Sequence, residues 1–126
     1  MDDRSVKVII GGEEYNLLLT TRATMEISKK YGGLDEMGEK MMQPGNEADA
    51  LAEICWLIAL LANQTIMINN IRHKDSPKET ISADILELMT SPSDFLDLQG
   101  AVIEAINRGM QRNVISEETE KNAKSE

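Results

Sequence analysis

Histidine, the side chain most often used for acid–base chemistry near neutral pH, occurs once in this 126-residue chain. His73 is its only histidine, and Asp75 lies two positions later, close enough in sequence to form an acid–base pair. The segment from Arg72 to Lys78 reads as a polar loop containing Pro77, and a histidine in such a loop is ordinarily solvated. Hydrolytic triads and helical zinc motifs need further partners that are missing here. The sequence therefore predicts a protein that is not an enzyme.

Carboxylates and the single thiol do not form a metal site either. Asp35, Glu36 and Glu39 could offer oxygen atoms to a cation, but they lack the alternating ligand pattern of a calcium-binding loop. A solvated helix face, with acidic residues near a helix N-terminus, explains them more simply. Cys55 is the only cysteine, so one chain can form neither a disulfide nor a thiolate zinc site. We expect no cofactor and no bound metal.

Net charge and hydropathy argue against two classes of partner, nucleic acids and membranes. The formal net charge is -9, and no stripe of Lys and Arg offsets it, so the surface should repel a phosphate backbone. The longest apolar run, Ile54 to Ala62, is about half of the roughly 20 residues that span a bilayer. Met1-Asp2-Asp3-Arg4 has none of the apolar character of a signal peptide. We expect a cytoplasmic protein that binds neither nucleic acid nor membrane.

The N-terminal segment has the pattern of a β-hairpin over residues 5–19. Val6 to Ile10 is β-branched and reads as a strand, Gly11-Gly12-Glu13 reads as a turn, and Tyr15 to Leu19 reads as the returning strand. The glycine pair is too short for a phosphate-binding loop. Because an isolated hairpin is marginal in water, this one must pack on helices or pair its edge with another chain.

The rest of the chain predicts helices. Apolar spacing and capping residues place five of them, at Arg22–Tyr31 (capped by Thr20 or Thr21), Leu34–Met42, Glu47–Ile71 (capped by Asn46), a short helix capped by Ser82, and one from Ser91 to about Gly109. The predicted fold is a mainly α single domain over residues 1–115, comprising the hairpin and these five helices. Residues 116–126 are polar and charged without a core-forming pattern, and we expect a disordered, acidic tail.

The third helix suggests where a partner could bind. Its centre, Ile54 to Ala62, is apolar on all sides, so the helix is either central in its own domain or partly buried by another subunit. The amides that follow it, from Asn63 to Asn70, suggest a helix end or a polar contact surface. Together with the hairpin edge, these features indicate six candidate contact residues, each of which could equally be core: Ile9, Leu18, Trp56, Leu57, Leu60 and Leu61.

The order of these elements resembles the tail assembly chaperones of long-tailed bacteriophages and their prophages. The resemblance runs from Val6 to Arg108 and rests on five short segments: Val-Lys-Val-Ile-Ile-Gly-Gly-Glu-Glu-Tyr, Lys30-Tyr31-Gly32-Gly33, Ala62-Asn63-Gln64, Leu86-Glu87-Leu88-Met89 and Ser91-Pro92-Ser93-Asp94. It implies a protein of the bacterial host cytoplasm that is absent from the finished virion. Such a chaperone keeps the tape-measure protein soluble, helps to recruit tail-tube subunits and commonly self-associates.

Many members of that family also make a minority longer product by ribosomal frameshifting, and this suggests a specific position. Glu120-Lys121-Asn122 can be encoded as GAA AAA AAC, which contains the slippery heptanucleotide A AAA AAC. We hypothesise that a frameshift occurs there. The alternatives are a structural phage component, such as a head–tail adaptor or minor tail protein, and a generic bacterial adaptor. A small enzyme using His73 and Asp75 is a further alternative.

Overall fold

The computed structural model describes residues 4–43 and 45–111. The elements follow in the order β1 (Val6–Ile10), β2 (Glu13–Leu17), α1 (Thr21–Tyr31), α2 (Leu34–Met42), α3 (Glu47–Arg72), α4 (Ala83–Met89), a 3₁₀ turn (Pro92–Asp94) and α5 (Phe95–Gly109). The prediction of a mainly α fold with an N-terminal hairpin and five α-helices is confirmed for these residues. The predicted acidic tail at 116–126 and the Glu120-Lys121-Asn122 sequence lie outside the described residues.

The hairpin is shorter at its turn and at its end than predicted. Gly11 and Gly12 have φ of 59° and 80°, the positive values of a two-residue type I′ turn. This turn places Glu13 opposite Ile10, so Glu13 belongs to the returning strand and not to the turn. The predicted strand Tyr15 to Leu19 is in fact Glu13–Leu17, because the last pair of the ladder is Leu17 with Val6, the first residue of β1. The Leu18 N–H, which points away from β1, donates to the Leu61 carbonyl of α3 at 3.2 Å.

Helix starts follow the predicted capping residues. Thr20, rather than Thr21, caps α1, and its hydroxyl accepts from the Ala23 N–H at 3.0 Å. Asn46 caps α3 in the same way, and Ser82 caps α4. Before α5, the Asp94 carboxylate accepts from the Ser91 N–H at 2.8 Å, so the predicted start is a 3₁₀ turn that leads into the helix. These caps satisfy N–H groups that have no partner inside their own helix.

Helix α3 is the centre of the fold. It packs against β2, α4, α5 and α1, and its buried residues are Ile54, Cys55, Leu57, Ile58, Ala59, Leu61, Ala62 and Gln64. Of the nine residues in its apolar centre, seven are buried within this chain, and Trp56 and Leu60 are half-buried. Among the described residues, α3 alone has the length and composition to cross a membrane, although a core helix meets the same criterion.

Two side-chain amides of α3 form hydrogen bonds with the backbone of the loop that connects α3 to α4. Asn63 donates to the Ile81 carbonyl and accepts from the Ile81 N–H, both at 2.8 Å. Asn70 makes the same pair of bonds to Lys78, at 2.9 and 2.8 Å. The predicted polar contact surface is therefore occupied, at these two positions, by the chain's own backbone.

Candidate protein-binding groove

One edge of β1 has no strand beside it. In the hairpin register, Ile10 lies opposite Glu13 and Val8 opposite Tyr15, and a two-residue turn makes these the hydrogen-bonded pairs. The N–H and C=O groups of Lys7 and Ile9 therefore point away from β2. No hydrogen bond to these groups is found within the described residues.

A stripe of α5 runs alongside this open edge. Leu98, Val102 and Ala105 are buried in the core, which turns Asp97, Gly100, Ala101 and Glu104 toward the edge at helical spacing. The small side chains at positions 100 and 101 leave space in the middle of the stripe. A Cβ built on Gly100 meets no atom within 4 Å, so the space beside it is open.

The space between β1 and α5 is a groove of about 720 Å³. We call it the edge groove; it is lined by β1, Gly11, Met89, Thr90, Asp94 and the α5 stripe just described, with Leu96 and Leu98. Exposed apolar side chains stand at its mouth: Ile9 is 69% exposed and Leu96 75%. An exposed apolar group next to unpaired backbone is a typical feature of a surface that binds polypeptide.

An arginine closes one end of the groove. The Arg108 guanidinium donates to the Ser5 carbonyl at 2.8 Å and also donates to the Glu104 carboxylate at 2.6 Å. Ser5 has the same alternation as Lys7 and Ile9, so its carbonyl points to the same open side. This bond shows that the outward groups of β1 are within reach of partners on the α5 side.

The groove is acidic. Among the described residues that line it, three are carboxylates (Asp94, Asp97 and Glu104) and one is a cation, Lys7; Arg108, at the end of the groove, is a second cation and is paired with Glu104. Lys7 is already 3.6 Å from Glu14 on the neighbouring strand, and Asp94 and Glu104 have the partners given above. Asp97 is exposed and makes no hydrogen bond or ion pair to the described residues, so its negative charge is available to a ligand.

The six candidate contact residues separate into three groups. Leu18, Leu57 and Leu61 are buried within the chain, because β2 and α3 pack together directly at the Leu18–Leu61 backbone contact; they do not lie on the surface. Trp56 and Leu60 are half-buried and pack against the core. Ile9 alone of the six lies at the edge groove.

Trp56 belongs to a small aromatic cluster at the end of α1. Its ring makes an edge contact with Tyr31 at a centroid distance of 6.0 Å, and Lys30 Nζ lies 4.7 Å from its centroid. The Tyr31 hydroxyl donates to the Glu53 carboxylate. These contacts engage Trp56 within the chain, where it joins α1 to α3.

The candidate chemical groups do not come together. His73 ends α3 and Asp75 lies in the turn after it, both exposed. Asp35, Glu36 and Glu39 are exposed on α2. No group of three or more metal-ligating side chains is found within residues 4–43 and 45–111. Burial raises the pKa of the Cys55 thiol, partly opposed by a hydrogen bond with Thr90 and reinforced by the charge of Glu87, so at neutral pH the thiol is protonated and weakly nucleophilic.

Comparison with protein families, curated proteins and solved structures finds no match to this chain. The groove must therefore be interpreted from its own geometry. Sequence reasoning found Ile9 but missed the α5 stripe. The signal was the spacing of Asp97, Gly100, Ala101, Glu104 and Arg108, which lie along one side of the last helix, next to its buried face. Nothing in the sequence indicated that this face would lie beside the unpaired edge of β1.

Proposed function

We propose that this protein is a non-catalytic chaperone of bacteriophage or prophage tail assembly, which holds the tape-measure protein and helps to bring tail-tube subunits to it. The observation that supports a binding role is the edge groove, where exposed apolar side chains, unpaired backbone groups and carboxylates occur around one open strand edge. The assignment to tail assembly rests on the resemblance of the segments from Val6 to Arg108.

The groove has properties that suit a chaperone. A chaperone must bind its client and release it, so its contact surface should be modest in area and should not be a large apolar face. The acidic character of the chain, with a net charge of -9, keeps the protein soluble while it holds an aggregation-prone partner. Self-association would then use a surface other than the groove that holds the client.

Filling the groove tests the proposal. Gly100→Trp places a large side chain where a Cβ meets nothing within 4 Å, and Gly100→Ala is the matched control. We expect the tagged wild-type chain and the alanine variant to co-purify with co-expressed tape-measure protein of the same phage, and the tryptophan variant to lose it. Equal capture by all three chains would show that the groove is not the client site, and no capture by any of them would contradict the proposed function.

Three further measurements separate the competing functions. Mass spectrometry of purified phage particles should find no copy of this chain, whereas a head–tail adaptor or minor tail protein would be present. Expression of the native gene with its downstream DNA should yield a minor longer product. Synonymous recoding of Glu120-Lys121-Asn122 should abolish that product if the slippery sequence lies there.

His73→Ala with Asp75→Ala should leave activity in tail assembly unchanged.

A further inference from the structure

We propose that the open edge of β1 binds an extended, basic segment of a client protein as a third strand of the sheet. The pairing rests on the geometry of the edge groove, and the identity of the partner as a client rests on the proposed function. A chaperone meets its client before assembly, when segments of that client are still available in extended form.

The backbone of β1 supplies the hydrogen-bonding pattern. Lys7 and Ile9 each direct one N–H and one C=O into the open side, and an incoming strand would pair with these four groups. The Arg108–Ser5 bond occupies the next outward carbonyl and limits pairing to the segment between Ser5 and the Gly11 turn. Five strand residues span about 17 Å, so the site takes a short segment.

Charge decides among the possible occupants. Side chains of an added strand alternate between the two faces of the sheet, so those on the face of Val8 would point toward α5, where Asp97 and Glu104 lie. Basic residues are favoured there. A second copy of this chain would instead bring two acidic grooves together, and like charges across an interface are unfavourable. On the opposite face the added strand would meet Ile9, which favours an apolar residue.

Amide hydrogen exchange on the full-length chain tests the pairing directly. The probe is the blocked heptapeptide Thr-Lys-Val-Lys-Val-Lys-Thr, with two controls: Thr-Glu-Val-Glu-Val-Glu-Thr and the rearranged Lys-Lys-Lys-Thr-Val-Val-Thr. At saturating probe, we expect exchange of the Lys7 and Ile9 amides to slow at least about tenfold. The Val8 amide, which already bonds to β2, should change little. The glutamate peptide should bind at least about tenfold more weakly, and the rearranged peptide should protect neither amide.

A proline variant isolates the backbone contribution. Ile9→Pro removes the outward N–H without removing a bond to β2, and proline is tolerated at this kind of edge position. Ile9→Thr keeps the N–H and is the control. Binding of the lysine probe should be lost in the proline variant and retained in the threonine variant. An unchanged Val8 amide would show that the hairpin remains folded in both.

Other outcomes would overturn the inference. Protection of Lys7 and Ile9 that rises with protein concentration, without probe, would indicate a second copy at the edge. Protection already present in the dilute chain alone would indicate an occupant from its own sequence. Probe binding without protection of these amides would exclude strand addition. If capture of the tape-measure protein depends on Gly100 but the edge amides are never protected, the inference fails alone. If the edge amides are protected but no client is captured, the proposed function fails alone.

Discussion

Helix α3 and strand β1 are both rich in apolar residues, but the centre of α3 is covered by the rest of the chain and the open edge of β1 is not. The centre of α3 is surrounded by β2, α4, α5 and α1, and even its buried amide, Gln64, has partners. Gln64 accepts from the Thr20 hydroxyl at 2.5 Å and donates to the Leu60 carbonyl at 2.9 Å. At the edge of β1, Ile9 is exposed and the backbone beside it is unpaired.

This difference shows that a high density of apolar residues indicates the core of this fold and not the edge that is left open. An apolar helix can be covered by its own chain on every side, because helices and strands pack around it. A two-stranded sheet always has two edges, and here α3 covers only one of them through the Thr65 hydroxyl, which donates to the Asn16 carbonyl at 2.7 Å. The second edge is left for another polypeptide or for solvent.

The largest effect should come from a charge placed inside α3. Leu61→Asp buries a carboxylate where the leucine is fully buried, and we expect a loss of about 3–5 kcal/mol in the free energy of unfolding, enough to unfold a small domain. Chemical denaturation followed by circular dichroism measures this. The control is Leu88→Asp on α4, where the leucine is 86% exposed and the expected change is within about 0.5 kcal/mol. If the Leu61→Asp variant is a folded monomer, α3 is again a candidate for an interface with another chain.

The polar contact between α1 and α3 should come next in size. Thr20→Ala removes the cap of α1 and leaves the Gln64 carbonyl, in a residue only 3% exposed, without its hydroxyl partner. The combined cost should be about 2–3 kcal/mol. Thr20→Ser keeps the hydroxyl and should recover most of the stability in the same denaturation experiment. An equal loss in both variants would assign the effect to the threonine methyl group instead.

Sequence patterns predicted the elements of this fold better than its surfaces. Capping at Thr20, Asn46 and Ser82 depends on a few neighbouring residues, so local chemistry was enough to place those helix starts. The end of β2 was misplaced because it is fixed by the pairing of Leu17 with Val6, a residue 11 positions earlier in the sequence. The edge groove was missed for the same reason, since it combines the N-terminal strand with the last helix. A pattern within either element does not reveal that contact.

The hairpin turn beside the open edge should be less tolerant of a side chain at Gly11 than at Gly12. Gly11 and Gly12 both have positive φ, but a Cβ on Gly11 would lie 2.2 Å from Met89 Cε, whereas one on Gly12 meets nothing within 4 Å. Both Gly→Ala changes should cost about 1–2 kcal/mol through backbone strain. Gly11→Ala should cost more, because the flexible Met89 must also move. Adding Met89→Ala to Gly11→Ala should remove the difference; if it does not, the two positions differ in the turn itself.

The smallest effect on stability should occur at Ile9. Its neighbour Ile10 allows an exposed and a buried position to be compared within one strand. Ile9 and Ile10 are neighbours in β1, yet Ile9 points to solvent and Ile10 lies in the core. Ile9→Thr should change the free energy of unfolding by no more than about 0.5 kcal/mol, because threonine suits a strand and no packing is lost. Ile10→Thr should cost about 1–3 kcal/mol, since it removes buried apolar contacts and buries a hydroxyl. Denaturant titration of the two variants measures both values. If the two losses are equal, Ile9 is covered by another molecule in solution, and sedimentation of the wild-type chain at the same concentrations would identify a second copy as that molecule.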